Sequence, residues 1–139
     1  MKVFFDTNVY VAEALLGEMA ERLIEATERA GWRTFARAYL LDELERVLTV
    51  KLGFSRRLAL LSRGRIVRHS KLIEPGASRH VVPGDPADNP ILQAALTAGA
   101  DYLVTNDAHL LALDPYEGLR ILSMESYFQL LRNEGLLGP

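Results

Sequence analysis

Two short runs, "VFF" at residues 3–5 and "YLV" at 102–104, are apolar at every position and pass at once into "DTN" and "TND". A strand with one wet face alternates apolar and polar side chains, so a run without alternation is expected to be buried on both faces. Strands of that kind belong to parallel sheets, whose crossover helices cover both sides. The rest of the chain supplies those helices. Residues 2–6 read as a first strand, 9–16 and 18–30 as helices broken near Gly17, and 32–36 as a second strand after a helix stop at Gly31. A third helix is expected over 38–50, with Leu40, Leu41, Leu44, Val47 and Leu48 on one stripe. A basic helical segment over 55–68 and a short strand over 71–74 follow. After the loop at 83–86 come a helix over 90–98 capped by Asp88 or Asn89, a strand over 101–105 and a short helix over 107–113. A strand over 118–122 and a helix over 123–134 close the chain. Strands alternating with helices at this spacing predict an α/β fold with a central parallel sheet.

At 139 residues the chain is expected to be one domain, able to bury a core without staples. It has no cysteine, which excludes disulfides, zinc–thiolate sites and cysteine nucleophiles. No apolar run approaches the roughly 20 residues that span a membrane, and the first residues lack the basic and apolar regions of a signal peptide. A cytoplasmic protein is expected. The net charge of −2 conceals an asymmetry: residues 51–79 hold eight cations against the single acid Glu74, so the remainder carries −9. Such a stretch suits a polyanion, and a solvated basic helix face explains it as well.

In a parallel sheet the carboxyl ends of the strands form the ligand crevice, and that is where Asp6 and Asp107 are delivered. Asp88, at the start of a helix in "GDPADNP", reaches the same edge. Glu43 lies one turn into the third helix near the edge of its apolar stripe, unlike Asp42 and Glu45. Each acid alone has a simpler reading: Asp6, Asp88 and Asp107 as helix N-caps, Glu43 as a solvated helix residue. Together they converge on one edge, which caps do not explain. Crowded carboxylates repel unless protons or cations intervene, and an all-oxygen donor set suits Mg²⁺ or Mn²⁺. His69, His80 and His109 show no ligand spacing and read as surface or capping residues.

These residues resemble the PIN-domain ribonucleases, in particular the toxin-like (VapC-type) bacterial branch. The matching stretches are "FFDTNVYVAEALL" (4–16), "LLDELERVL" (40–48), "GDPADNPILQAALTAGADYLVTNDAHLL" (84–111) and "GLRILSMESYFQLL" (118–131). The resemblance implies a three-layer α/β/α sandwich, a single PIN-like nuclease domain over 1–139, and an acidic pocket that uses Mg²⁺ or Mn²⁺ to hydrolyse phosphodiester bonds in RNA. Carried over, the family's four acids fall on Asp6, Glu43, Asp88 and Asp107 as catalytic and metal-binding residues. Thr7, Asn8, Thr105 and Asn106 become hydrogen-bonding neighbours that orient the carboxylates, and Asp85 and Asp101 take support roles. The basic stretch would hold the RNA backbone, with phosphate contacts drawn from Arg56, Arg57, Arg63, Arg65 and Arg68. An antitoxin protein and a homodimer are partners of the kind this branch implies.

Two other readings compete. A phosphatase of the haloacid dehalogenase type also begins with an aspartate after a buried strand, but needs a second aspartate two residues on, where this chain has Asn8. A non-catalytic RNA-binding module with the same fold is expected to have lost acids, and all four are present here.

Overall fold

In the computed structural model, which describes residues 1–15, 17–73 and 89–137, the two apolar runs lie side by side at the centre of a parallel sheet. The strands are β1 (Lys2–Phe5), β2 (Arg33–Arg37), β3 (Lys71–Ile73), β4 (Tyr102–Val104) and β5 (Arg120–Leu122), in the order β3-β2-β1-β4-β5. Seven α-helices are present among the described residues: α1 (Thr7–Ala14), α2 (Glu18–Arg29), α3 (Leu40–Arg46), α4 (Arg56–His69), α5 (Pro90–Thr97), α6 (Ala108–Leu111) and α7 (Met124–Asn133).

Side chains alternate across β1 and find an apolar layer on each side. Val3 and Phe5 pack with Tyr10, Leu23, Leu44, Leu48 and Tyr127, from the face covered by α1, α2, α3 and α7. Phe4 points the other way, into a second cluster with Phe35, Leu92, Leu103, Leu110 and Ile121, under α5 and α6. Both faces are dry, which is why the run shows no alternation. The fold is the expected three-layer α/β/α sandwich.

The strand order also locates a crevice. From β1 the chain winds outward through β2 and β3, then returns to place β4 and β5 on the other flank of β1. Connections therefore leave β1 and β4 in opposite directions, and the gap between them at their carboxyl ends is the topological switch point where such sheets bind ligands.

Differences from expectation are local. Helix α1 begins two residues early, because Asp6 occupies the N-cap and its carboxylate accepts from the Thr7 amide. The third helix stops being α-helical at Arg46 and continues as a π-helical turn over Val47–Lys51, keeping Leu48 buried while Val50 and Lys51 face water. Of the two candidate caps for α5, Asn89 is the one seen: its side-chain oxygen accepts from the amides of Ile91 and Leu92. Thr27, a polar residue of α2, is fully buried. Its hydroxyl donates to the Leu23 carbonyl (2.7 Å) and accepts from the Tyr127 hydroxyl (2.6 Å), 100 residues away. A buried hydroxyl so satisfied costs little.

Candidate active site

Asp6 and the Thr105–Asp107 segment leave adjacent strands at the same edge. The Asp6 amide donates to the Val104 carbonyl (3.0 Å), and the Thr105 amide to Leu122 (2.9 Å), so the sheet ladder itself holds both exits in place. Asp6 is 4% exposed. One of its carboxylate oxygens accepts from the Thr7 amide (2.6 Å), the other from the Thr105 hydroxyl (2.7 Å). That hydroxyl, fully buried, in turn accepts from the Asp107 amide (3.0 Å). A single threonine thus ties the two aspartates together.

Asp107 is exposed and caps α6: its Oδ1 accepts from the amides of His109 (2.8 Å) and Leu110 (3.2 Å). Glu43, half-buried on α3, lines a small cavity together with Phe5, Asp6, Thr7, Arg37 and Ile91. Burial above all raises the Asp6 carboxyl above its ordinary value of 3.8. The hydrogen bonds from Thr105 and Thr7 pull it back, while the negative charges of Glu43 and Asp107 push it up further. Glu43 and Asp107 are therefore both close enough to act on Asp6. Among the described residues, however, no three acids or histidines stand close enough to hold an ion between them. Asp88, Asp85 and His80 lie outside the described residues. The side chains gathered at this edge offer carboxylate and hydroxyl oxygens, the donor type that hard divalent cations take.

Several expected partners stand elsewhere. The Asn106 side-chain oxygen accepts from the Met124 amide (3.1 Å), joining the β4 exit to the start of α7 instead of orienting a carboxylate. Asn8 is exposed in the first turn of α1, where the helix turns its side chain out to water. Asp101 sits at the opposite end of β4 and accepts from the Lys2 amide (2.8 Å). Two of the five candidate phosphate contacts face the protein's own acids. Arg63 approaches Asp42 (3.4 Å) and Glu45 (3.3 Å), and Arg65 approaches Glu13 (3.4 Å). Their positions on α4 turn them toward the carboxylates of α3 and α1. Arg56, Arg57 and Arg68 are exposed.

Arg37 escaped the sequence reading, which ended the second strand at residue 36. It is the last residue of β2, it lines the Asp6–Glu43 cavity, and its guanidinium lies 4.8 Å from the Tyr39 ring centroid. The available signal was position: the carboxyl end of a parallel strand is the ligand edge.

Thr105→Val is the conservative test of the tie between the aspartates, since it keeps the shape and removes the hydroxyl. The Asp6 carboxylate loses a donor and the Asp107 amide an acceptor, in a dry setting. A loss of about 1–3 kcal/mol in unfolding free energy is expected. Denaturant melts of the two proteins check the figure.

A family model described as a PIN domain matches residues 2–109, from β1 to the first turn of α6. No curated protein and no solved structure gives a significant match. The match takes in Asp6, Glu43 and Asp107 together with the segment that contains Asp88, and it covers well over half of the sequence. This chain belongs to the PIN-domain family.

Proposed function

We propose that the chain is a metal-dependent endoribonuclease in which Asp6, Glu43, Asp88 and Asp107 hold Mg²⁺ or Mn²⁺ and hydrolyse phosphodiester bonds in RNA. PIN domains are in general nucleases and typically use divalent metal ions. The observation that carries the reading for this chain is the buried Asp6 carboxylate, tied through Thr105 to Asp107 and sharing a cavity with Glu43. A phosphodiester is an anion, and acids alone would repel it. When bound, the divalent ion reverses that field, lowers the pKa of a water and polarises the phosphoryl oxygen. Thr105 and the Thr7 amide hold both Asp6 oxygens in one orientation, which presents the remaining lone pairs to the crevice. Of the five candidate arginines, Arg56, Arg57 and Arg68 are left to face an RNA backbone.

A role as the toxin of a toxin–antitoxin pair in the cytoplasm is the finer form of this reading. What supports it is a 330 Å³ cleft between α1 and α4, lined by Ala14, Leu15, Phe54, Leu58, Leu61 and Ser62. Leu15, Leu58 and Leu61 are exposed there, and a contiguous apolar surface is a mark of protein–protein contact. An antitoxin segment or a second copy of the chain, giving a homodimer, would cover it. No helix among the described residues is long and apolar enough to cross a membrane.

The test is direct. Purified protein incubated with a pool of random-sequence single-stranded RNA is expected to cut it in Mg²⁺ or Mn²⁺ and to stop in EDTA, with activity restored by excess metal. A pool answers for any sequence preference. Cleavage that persists after complete removal of metal overturns the mechanism.

A further inference from the structure

The cavity that holds Asp6 and Glu43 also takes in a cation. Arg37, at the carboxyl end of β2, lines it together with Asp6, Thr7 and Glu43. Its backbone is fixed by pairing with Ile73 of β3, and the next amide, that of Ala38, donates to the Ile73 carbonyl (3.1 Å). Its guanidinium lies 4.8 Å from the centroid of the Tyr39 ring, a cation–π contact that limits where the charged head can go. The side chain is half-buried, so its charge is screened less than that of an exposed arginine such as Arg56. A cation fixed here is at odds with holding a divalent ion. Like charges repel, and Asp6 and Glu43 can collect a metal ion only against the field of Arg37.

The conflict disappears once an anion enters between them. The non-bridging oxygens of a phosphodiester match the planar fork of a guanidinium. That fork has several N–H donors, so one side chain can serve the protein and a substrate at once. We propose that Arg37 is a phosphate-binding residue of the cleavage site, opposing metal binding while RNA is absent and favouring it when a phosphodiester lies between the guanidinium and the acids. Metal and RNA then strengthen each other's binding by the same factor, as any coupling of two binding equilibria requires. The inference rests on the ribonuclease reading and adds to its RNA contacts a cation from outside the basic stretch.

The experiment begins with Mn²⁺ alone, titrated into the protein and followed by electron paramagnetic resonance, which reports the free ion. Arg37→Gln keeps a polar side chain without the charge. It is expected to bind Mn²⁺ roughly tenfold more tightly than the wild type, the scale on which one charge acts through water on a divalent ion a few ångströms away. Repeating the titration in dimethyl phosphate, a phosphodiester anion inert in the assay, tightens Mn²⁺ binding about fivefold or more in the wild type and hardly at all in Arg37→Gln. RNA cleavage at saturating Mn²⁺ moves the opposite way, falling roughly 100- to 1,000-fold in Arg37→Gln. Arg37→Lys, which keeps the charge and loses the fork, binds Mn²⁺ as the wild type does and cleaves at an intermediate rate. A merely structural role would lower metal binding and cleavage together. Arg37→Gln that binds Mn²⁺ no more tightly, responds to dimethyl phosphate as the wild type does, or cleaves at a near-normal rate overturns the proposal, while metal-dependent cutting by the wild type keeps the nuclease reading. A wild type that couples Mn²⁺ to dimethyl phosphate through Arg37 yet never cuts RNA overturns the nuclease reading and keeps the phosphate site.

Discussion

Asp6→Asn is expected to abolish metal-dependent RNA cleavage, by at least about 100-fold, while leaving the protein folded. Changing only a residue that orients a metal ligand typically costs 10–100-fold, and here a proposed ligand itself loses its charge. The shape survives. Asn is nearly as good an N-cap as Asp, its side-chain oxygen can still accept from the Thr7 amide, and its NH₂ can donate to the Thr105 hydroxyl. Stability in EDTA moves the opposite way from activity. Burial raises the Asp6 carboxyl above 3.8, so the folded protein binds that proton more tightly than the unfolded chain. The stabilisation this provides is full below the ordinary value and is lost as pH rises through the raised one. Once the pH has risen through that raised value the metal-free wild type holds a costly buried charge that the variant lacks, and there Asp6→Asn is expected to melt no lower. Adding Mg²⁺ stabilises whatever binds it in the folded state, so Tm should rise with metal in the wild type and hardly at all in the variant. Cleavage rates and Tm over a Mg²⁺ titration test both halves. Near-normal cleavage by Asp6→Asn at limiting Mg²⁺ would leave Asp6 as a helix cap and nothing more.

Phe5→Ala should be the most destabilising single change next to the site. Phe5 is fully buried and meets Tyr10 and Tyr127 edge-on, with ring centroids 6.0 and 5.9 Å away at interplanar angles of 79° and 78°. Truncation removes its own burial and the edge-to-face contacts, and leaves a cavity between β1, α1 and α7 that rigid neighbours fill poorly. The expected loss is about 3–5 kcal/mol, a fall in Tm on the order of 10–20 °C for a chain of this size. Phe5 also immediately precedes Asp6, so any shift of the strand end moves the carboxylate, and a displacement of about 1 Å can cost roughly 100-fold in rate. Phe5→Leu, which retains most of the volume, should recover much of both. Thermal melts with cleavage assayed well below Tm separate the two effects. A drop of only a few degrees for Phe5→Ala would mean that this face of the sheet repacks freely.

The fold was legible because its signals are local and periodic. Runs apolar at every position, Gly31 at a helix end, and the 3.6-residue stripe on α3 depend on neighbours within a few residues. The edge that carries Asp6 and Asp107 was legible for the same reason, since strand direction alone delivers the residue after a strand to the carboxyl end. The π-helical turn at Val47–Lys51 was not, because its sequence is compatible with an ordinary helix. The cap of α5 was narrowed to two residues, and the structure shows Asn89 accepting from the amides of Ile91 and Leu92.

By itself, then, the sequence determined the parallel sheet, its two dry faces, and the arrival of two aspartates at one rim, all consequences of period and chain direction. Only the tertiary structure decided what each polar side chain meets. Thr105 bridges Asp6 and the Asp107 backbone; Asn106 turns away to Met124; Arg63 and Arg65 face Asp42, Glu45 and Glu13; Arg37 comes to the acidic cavity. Most of these partners lie far apart along the chain. A hydrogen bond or ion pair needs its atoms within about 3–4 Å, and such proximity between distant residues exists only after the layers have packed.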